Sequence, residues 1–411
     1  MNLVFTIATT HVRARIRQTL VGVLGVATGV GFSVMMAALM EGSQRDFTAQ
    51  LIDSMAHVSV TDQRRNAPPQ PSETAYDAAE IHGLKTVALR PGIKNPFALM
   101  AALEGWVPGA VAPSVQSKAV IRFAGRDAAA SVIGIDPRRE EHVSKLATQI
   151  RQGSLAALYK SSNAVLMGDR LANKLGARIG NTISLTAGNG RVLPVTVVGF
   201  THTGISSLDE TQVYTLIRTA QILAGQSGLV NEIRVRTRDA MGAREIAQRI
   251  ENETGYKSIS WLEANEDLLS AFQIRNIIMY TVVGAILLVA SFGTYNIIST
   301  ITHEKTRDIA IMKSLGFTSA TVKRIFLIEA LLIGIAGMII GWALGYGLSY
   351  AMGLIEIKSP FMDGTHLPIF YSPFHYALAG VVALLASAIA GYFPARKAAS
   401  VQPVDIIRGA S

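Results

Sequence analysis

The sequence predicts an α-helical membrane protein with four transmembrane helices and one large external α/β domain. Two observations carry that expectation. Four apolar runs, at residues 20–40, 277–301, 325–354 and 376–393, are almost free of charge, and residues 41–275 between the first and second alternate strand-like and helix-like patterns. A helix needs about 20 apolar residues to cross ~30 Å of hydrocarbon. The first three runs meet that length, and the fourth approaches it by reaching Tyr376 and Phe393. Long apolar helices also fill large soluble cores, but four of them in a chain of mean hydropathy +0.32 favour the membrane.

The first run is too long for the apolar part of a signal peptide, and Glu41-Gly42-Ser43 follows it without a small-x-small cleavage site. It reads as an uncleaved anchor. Lys and Arg concentrate on the cytoplasmic side of membrane proteins. Here they stand before the first run (Arg13, Arg15, Arg17), between the second and third (Lys305, Arg307, Lys313, Lys323, Arg324) and after the fourth (Arg396, Lys397, Arg408). The connection 355–375 holds Lys358 against Glu356 and Asp363. Segments 1–19, 302–324 and 394–411 are therefore expected in the cytoplasm, and 41–275 and 355–375 outside. Because the net charge of +9 is divided among these flanks, no nucleic-acid partner is expected. The chain has no cysteine, which excludes disulfide staples and thiol chemistry.

Within the external region, residues 42–54 continue the first span as an amphipathic helix with Phe47, Leu51 and Met55 at helical spacing. Residues 57–61 alternate like a strand, 63–74 form a Pro-rich loop, and 95–104 a helix. Strands follow within 111–135. Residues 165–175 read as a short helix after a strand, and 182–185 and 193–198 as strands. Strand 232–236, helix 240–254 and strand 257–261 make a βαβ-like unit. This order implies an α/β subdomain built from both ends of the region, with a β-rich subdomain inserted.

The chain has no G-x-x-x-x-G-K-[ST], so it offers no phosphate-binding loop of that type. Gly25 with Gly29, and Gly337, Gly341 and Gly345, follow small-xxx-small spacing, which lets helix backbones approach closely in lipid. The eight histidines show no metal-ligand spacing; His57 reads as structural, and His303 and His366 as solvated. Asp209-Glu210 reads as a turn, and no catalytic or metal constellation is identified. Glu329 opens the third span, either clamped by Lys313 or Arg324 or reaching for water.

The charged block TRDIAIMKSLGFTSATVKRIFLIEALLIG, wedged between two apolar runs, resembles the cytoplasmic coupling segment of the MacB/FtsX/lipoprotein-releasing group of ABC transporter permeases. That group's acid-Ile-x-Ile-x-x-x-x-Gly core falls on Asp308, Ile309, Ile311 and Gly316, with Arg307 before it, and Glu329 matches its downstream acid. NAVLMGDRLANKLGARIGNTISL and VLPVTVVGFTHTG are similar to the group's β-rich subdomain. EGSQRDFTAQLIDSMAHVSV and the Gly134–Pro137 segment GIDP are similar to its lipoprotein-releasing (LolC/LolE) branch. One departure stands out. Only AGNGRVL joins the two strands where that branch carries a longer Pro-rich connection, which in one member hooks a periplasmic chaperone.

The resemblance implies that the external domain is periplasmic, with a porter-like α/β subdomain, in a bacterial inner-membrane protein with cytoplasmic termini. It implies docking of a separate cytoplasmic ABC ATPase dimer on Arg307, Asp308, Ile309, Ile311, Met312, Leu315, Gly316 and Phe317. The chain would carry no cofactor and no catalytic function, ATP and Mg residing on the ATPase. A second permease, identical or paralogous, a lipidated or hydrophobic substrate, and a periplasmic adaptor or chaperone are the further partners implied. Phe32, Met35, Met36 and Leu39 are the candidate substrate surface, with lipid-facing or bundle-packing roles as the alternative. Lipoprotein release, small-amphiphile efflux and non-transporting mechanotransmission all remain compatible with these residues.

Overall fold

The computed structural model describes residues 3–65, 92–356, 366–400 and 402. The Pro-rich loop lies outside the described residues from 66 onward, as do 357–365 of the third-to-fourth span connection and Arg408 of the tail. The chain opens with α1 (Leu3–Ala14) and the long α2 (Ile16–Ser54). Strand β1 (Val58–Thr61) and α3 (Pro96–Glu104) precede a long hairpin of β2 (Gly109–Phe123) and β3 (Arg126–Ile135). Next come α4 (Pro137–Val143), β4 (Ile150–Gln152), β5 (Ala164–Gly168) and α5 (Asp169–Leu175). Strands β6 (Thr182–Ala187) and β7 (Val192–Thr201) lead to α6 (Ser206–Asp209), β8 (Gln212–Leu216) and α7 (Ile217–Ala224). After β9 (Glu232–Thr237), α8 (Ala243–Thr254), β10 (Ser258–Ser260) and α9 (Trp261–Ala264), the chain is helical: α10 (Glu266–Glu304), α11 (Thr306–Ser314), α12 (Ser319–Gly353) and α13 (Pro373–Ser400).

The chain divides into two units, one of residues 1–46, 270–357 and 364–411, the other of 47–269 and 358–363. In the first, α2, α10, α12 and α13 are each long and apolar enough to cross a membrane. These helices extend beyond the apolar runs. For α12 the reason is a cap: the Thr318 hydroxyl accepts the Thr321 N–H at 3.2 Å, so the helix starts at Ser319, well before the apolar run at 325.

Helix α12 organises this unit through its small residues. A Cβ on Gly337, Gly341 or Gly345 would meet Val26, Val30 or Val34 of α2 at 2.6, 2.6 and 2.8 Å, so the two backbones approach as only glycine permits. On another face, Gly334 accepts Ser387 of α13, and Gly391 of α13 accepts Ala330. On α2 the expectation needs correcting. Gly29 does pack, against Leu287 of α10, but a Cβ on Gly25 would meet nothing within 4 Å among the described residues. The α2 glycines facing α10 are Gly22 and Gly29, a seven-residue repeat that keeps one face aligned, and Gly25 falls beside that stripe.

The second unit holds the expected two-part arrangement. Strands β10, β1 and β9 and the first half of β2 form an antiparallel sheet. Since β9 and β10 both run antiparallel to β1, they are parallel to each other, and α8 joins them: a βαβ unit with β1 inserted in its middle. Val58, Met100, Leu103, Ile233, Ile250 and Trp261 fill its core. The second half of β2 enters a different structure. Strands β2, β3, β8, β5, β7 and β6 pair in a closed ring, β6 sealing it against β2. Closure leaves no exposed edge within the ring, and alternate residues such as Ile183, Leu185, Val195 and Val197 fill the interior.

The short β6–β7 connection is a tight hairpin. Ala187 N–H donates to the Arg191 carbonyl at 2.9 Å, and Gly190 turns the chain at φ 79°. The Asn189 amide donates to the Leu223 and Ala224 carbonyls at 3.1 Å each, pinning the tip to the end of α7.

Replacing Gly341 by leucine forces a side chain into Val30 and the Ala27 carbonyl. We expect Gly341→Leu to cost about 1–3 kcal/mol, read as a lowered thermal midpoint of the detergent-solubilised protein. Gly25→Leu serves as the control and should leave the midpoint unchanged; equal effects would contradict the packing.

Candidate coupling site

The site forms where a short helix interrupts the membrane helices. Lys305 Nζ reaches Asp308 at 2.6 Å across the first turn of α11, where an acid also suits the helix dipole. At the other end Gly316 adopts φ 95°, and the Phe317 and Gly316 N–H groups donate to the Met312 and Lys313 carbonyls at 3.1 Å. That is a helix stop which a side chain at Gly316 would strain. Thr318 then caps α12, so the sequence TRDIAIMKSLGFTS encodes helix, stop and restart.

One face of α11 is locked into the first unit. Ile309 and Ala310 are buried, and Ile309 packs with Ile298, Ile301, Val322, Phe326 and Ala398. Met312 is half-buried on the same cluster, Phe317 is half-buried, and Lys313 Nζ donates to the Ala399 carbonyl of α13 at 2.8 Å. Arg15 and Glu304 form a further ion pair. The opposite face is open. Ile311 is 53% exposed and Leu315 75%, one helical turn apart, with Arg307, Asp308 and Gly316 also exposed. Of the eight residues the sequence grouped, Ile309 thus belongs to the anchor, while Arg307, Asp308, Ile311 and Leu315 make a presentable apolar patch with a charged edge.

Glu329 is fully buried, and its partner is neither Lys313 nor Arg324. Its Oε2 lies 3.7 Å from Nδ1 of His11 on α1, whose ring rests 6.2 Å from that of Phe326. Arg324 is exposed, because five residues along a helix turn a side chain by about 140° onto another face.

Of the candidate substrate surface, Phe32 is exposed, and Met35, Met36 and Leu39 are half-buried. None of the four lines the apolar cavity of about 430 Å³ between α10 and α13, whose walls include Leu288, Phe292, Tyr295, Val382, Ile389 and Phe393. Apolar composition alone does not distinguish such a cavity from lipid-facing surface, so the sequence offered no signal for it. His57, outside the membrane helices, is structural: its Nδ1 accepts the Thr237 N–H at 3.2 Å, and burial pushes its imidazole below the usual histidine range.

Residues 19–253, more than half of the chain, match the MacB-like periplasmic core domain, and residues 280–403 match the FtsX-like permease C-terminal domain. The chain belongs to the MacB/FtsX-like permease family. It is thus an ABC-transporter permease of the LolC/MacB type, an inner-membrane protein with a large periplasmic domain. Its similarity to the lipoprotein-releasing system transmembrane protein LolC of Neisseria meningitidis serogroup B is 24% identity over 95% of this chain and 94% of that one. The macrolide export ATP-binding/permease protein MacB 1 of Yersinia pestis bv. Antiqua is 28% identical over 75% of this chain and 48% of that one. The crystal structure of the periplasmic region of MacB from Actinobacillus actinomycetemcomitans, at 12% identity and a TM-score of 0.32, covers 53% of this chain and 94% of that one.

The two faces of α11 in this permease separate by substitution. Ile309→Asp buries an unpaired charge and should destabilise the membrane unit by about 3 kcal/mol or more. Ile311→Asp should leave the thermal midpoint within about 0.5 kcal/mol of the parent. Comparable losses in both would show that Ile311 is also packed.

Proposed function

We propose that this chain is the membrane subunit through which a separate cytoplasmic ABC ATPase dimer moves a periplasmic domain, releasing or extruding a lipoprotein or other lipid-like substrate from the inner membrane. The observation that carries this reading is the exposed Ile311–Leu315 pair on a helix whose other face, through Ile309, is built into the membrane unit. Burying one such side chain against a partner contributes about 1.5–3 kcal/mol, and the Arg307 and Asp308 edge sets orientation. The basic flanks favour a cytoplasmic position for α11 and both termini. ATP and Mg belong to the ATPase, and this chain serves as a non-catalytic subunit.

A push on α11 reaches the bundle through Ile309 and, at Lys313, the end of α13. Helices α2 and α10 each run unbroken for 39 residues, which makes them suited to carry a tilt of the spans outward. Four spans enclose little volume, so a second permease, identical or paralogous, completes the assembly. Helix α10, the least buried of the four spans, is the face available to it.

Lipoprotein release is favoured by the full-length similarity to LolC. The pinned β6–β7 hairpin favours a second reading, export of a small amphiphile with a periplasmic adaptor, because it provides no extended loop to hook a chaperone. The test is co-purification of the ABC ATPase with the permease. Ile311→Asp with Leu315→Asp should abolish it while Asp127→Asn retains it. Undiminished ATPase recovery with the double variant would overturn the docking assignment.

A further inference from the structure

Three titratable side chains of the periplasmic domain play no part in coupling. Strands β5 and β7 run parallel with Gly168 opposite Thr201, which sets the residues that follow, Asp169 and His202, side by side. Gly168 also lets α6 come close: a Cβ there would lie 2.6 Å from the Asp209 carbonyl carbon and 2.8 Å from its Cα. The result is a cluster drawn from three separate segments. Nδ1 of His202 lies 2.7 Å from Asp169 Oδ2 and 3.7 Å from Asp209 Oδ2. One ligand atom from each residue falls within 4.8 Å of the others.

Asp209 points to a ligand. Its side chain is 1% exposed, and its Oδ1 is held by the Thr203 N–H at 2.8 Å and the Thr203 hydroxyl at 2.9 Å. Its Oδ2 receives no hydrogen bond among the described residues and faces His202. A carboxylate oxygen buried without a donor would be costly as an anion, and a cation there would offset that cost. The threonine fixes the carboxylate as outer hydrogen bonds do around bound metals.

We propose that Asp169, His202 and Asp209 bind a divalent transition-metal ion, Zn²⁺ being the best match. Two carboxylates and an imidazole suit a borderline metal, and ligands about 2.0–2.2 Å from it stand roughly 3.3 Å apart in a tetrahedral site. The Asp209–His202 spacing is near that value already, and Asp169 opens slightly from His202 to admit the ion. Asp169 is 21% exposed and gives the entry path. Arg151, 3.9 Å from Asp169 and 60% exposed, competes for that carboxylate and turns outward on binding. The bound ion ties the ends of β5 and β7 to α6.

The purified full-length chain, stripped with EDTA, is titrated with Zn²⁺ by calorimetry and by thermal unfolding. One Zn²⁺ per chain and a raised unfolding midpoint are expected. Asp169→Asn, isosteric and partly exposed, should weaken binding by more than about tenfold, and His202→Ala should do the same if circular dichroism shows it folded. The exposed control Asp127→Asn should bind like the parent. Absence of binding at millimolar Zn²⁺, or parental affinity in Asp169→Asn, would overturn the site and leave His202 as an ion-paired side chain between two carboxylates.

Discussion

The membrane unit depends on the close approach of α12 to α2. Lipid tails are as apolar as leucine, so burial of apolar surface does not drive helices together in a bilayer; van der Waals fit must. Gly337, Gly341 and Gly345 provide that fit by accepting Val26, Val30 and Val34 in register over two helical turns. With α12 thus fixed, its opening turns supply Val322, Phe326 and Ala330 to the cluster that holds Ile309. Helix α11 is anchored by the same rod whose far end is sealed to α2.

The anchoring suits a short helix to the lever role proposed for it. Helix α11 is stopped by Gly316 and followed at once by the Thr318 cap, so the link to α12 has little slack. Its inner face is continuous with the bundle core, and its outer face retains Ile311 and Leu315 in the open. The buried Glu329–His11 pair ties α1 to the same end of α12.

Much of this was legible in the residues. Apolar run length gave the four spans, and small-xxx-small spacing gave the α12 seam, because both signals are local. The partner of the seam was not legible, since Val26, Val30 and Val34 carry no mark that separates them from lipid-facing valines. Gly25 has the spacing of a packing residue and misled for the same reason. For Glu329 the sequence offers Lys313, Arg324 or water, whereas α1 folds back to present His11 from more than 300 residues away. Ring closure by β6 on β2, and the meeting of Asp169, His202 and Asp209, depend on long-range strand pairing that no local pattern records. Within α11, the family motif marked the segment, but only packing separated the anchor Ile309 from the open Ile311.

The proposed role requires the open face of α11 to lie in the cytoplasm and to be covered by an ATPase. The chain has no cysteine, so Leu315→Cys introduces a single thiol at the most exposed point of that face. Its rate of modification by a membrane-impermeant maleimide is measured in spheroplasts and in inverted membrane vesicles, with and without the ABC ATPase. No labelling in spheroplasts, rapid labelling in inverted vesicles and strong protection by bound ATPase are expected. Labelling from the outside, or an unchanged rate in the presence of bound ATPase, would contradict it.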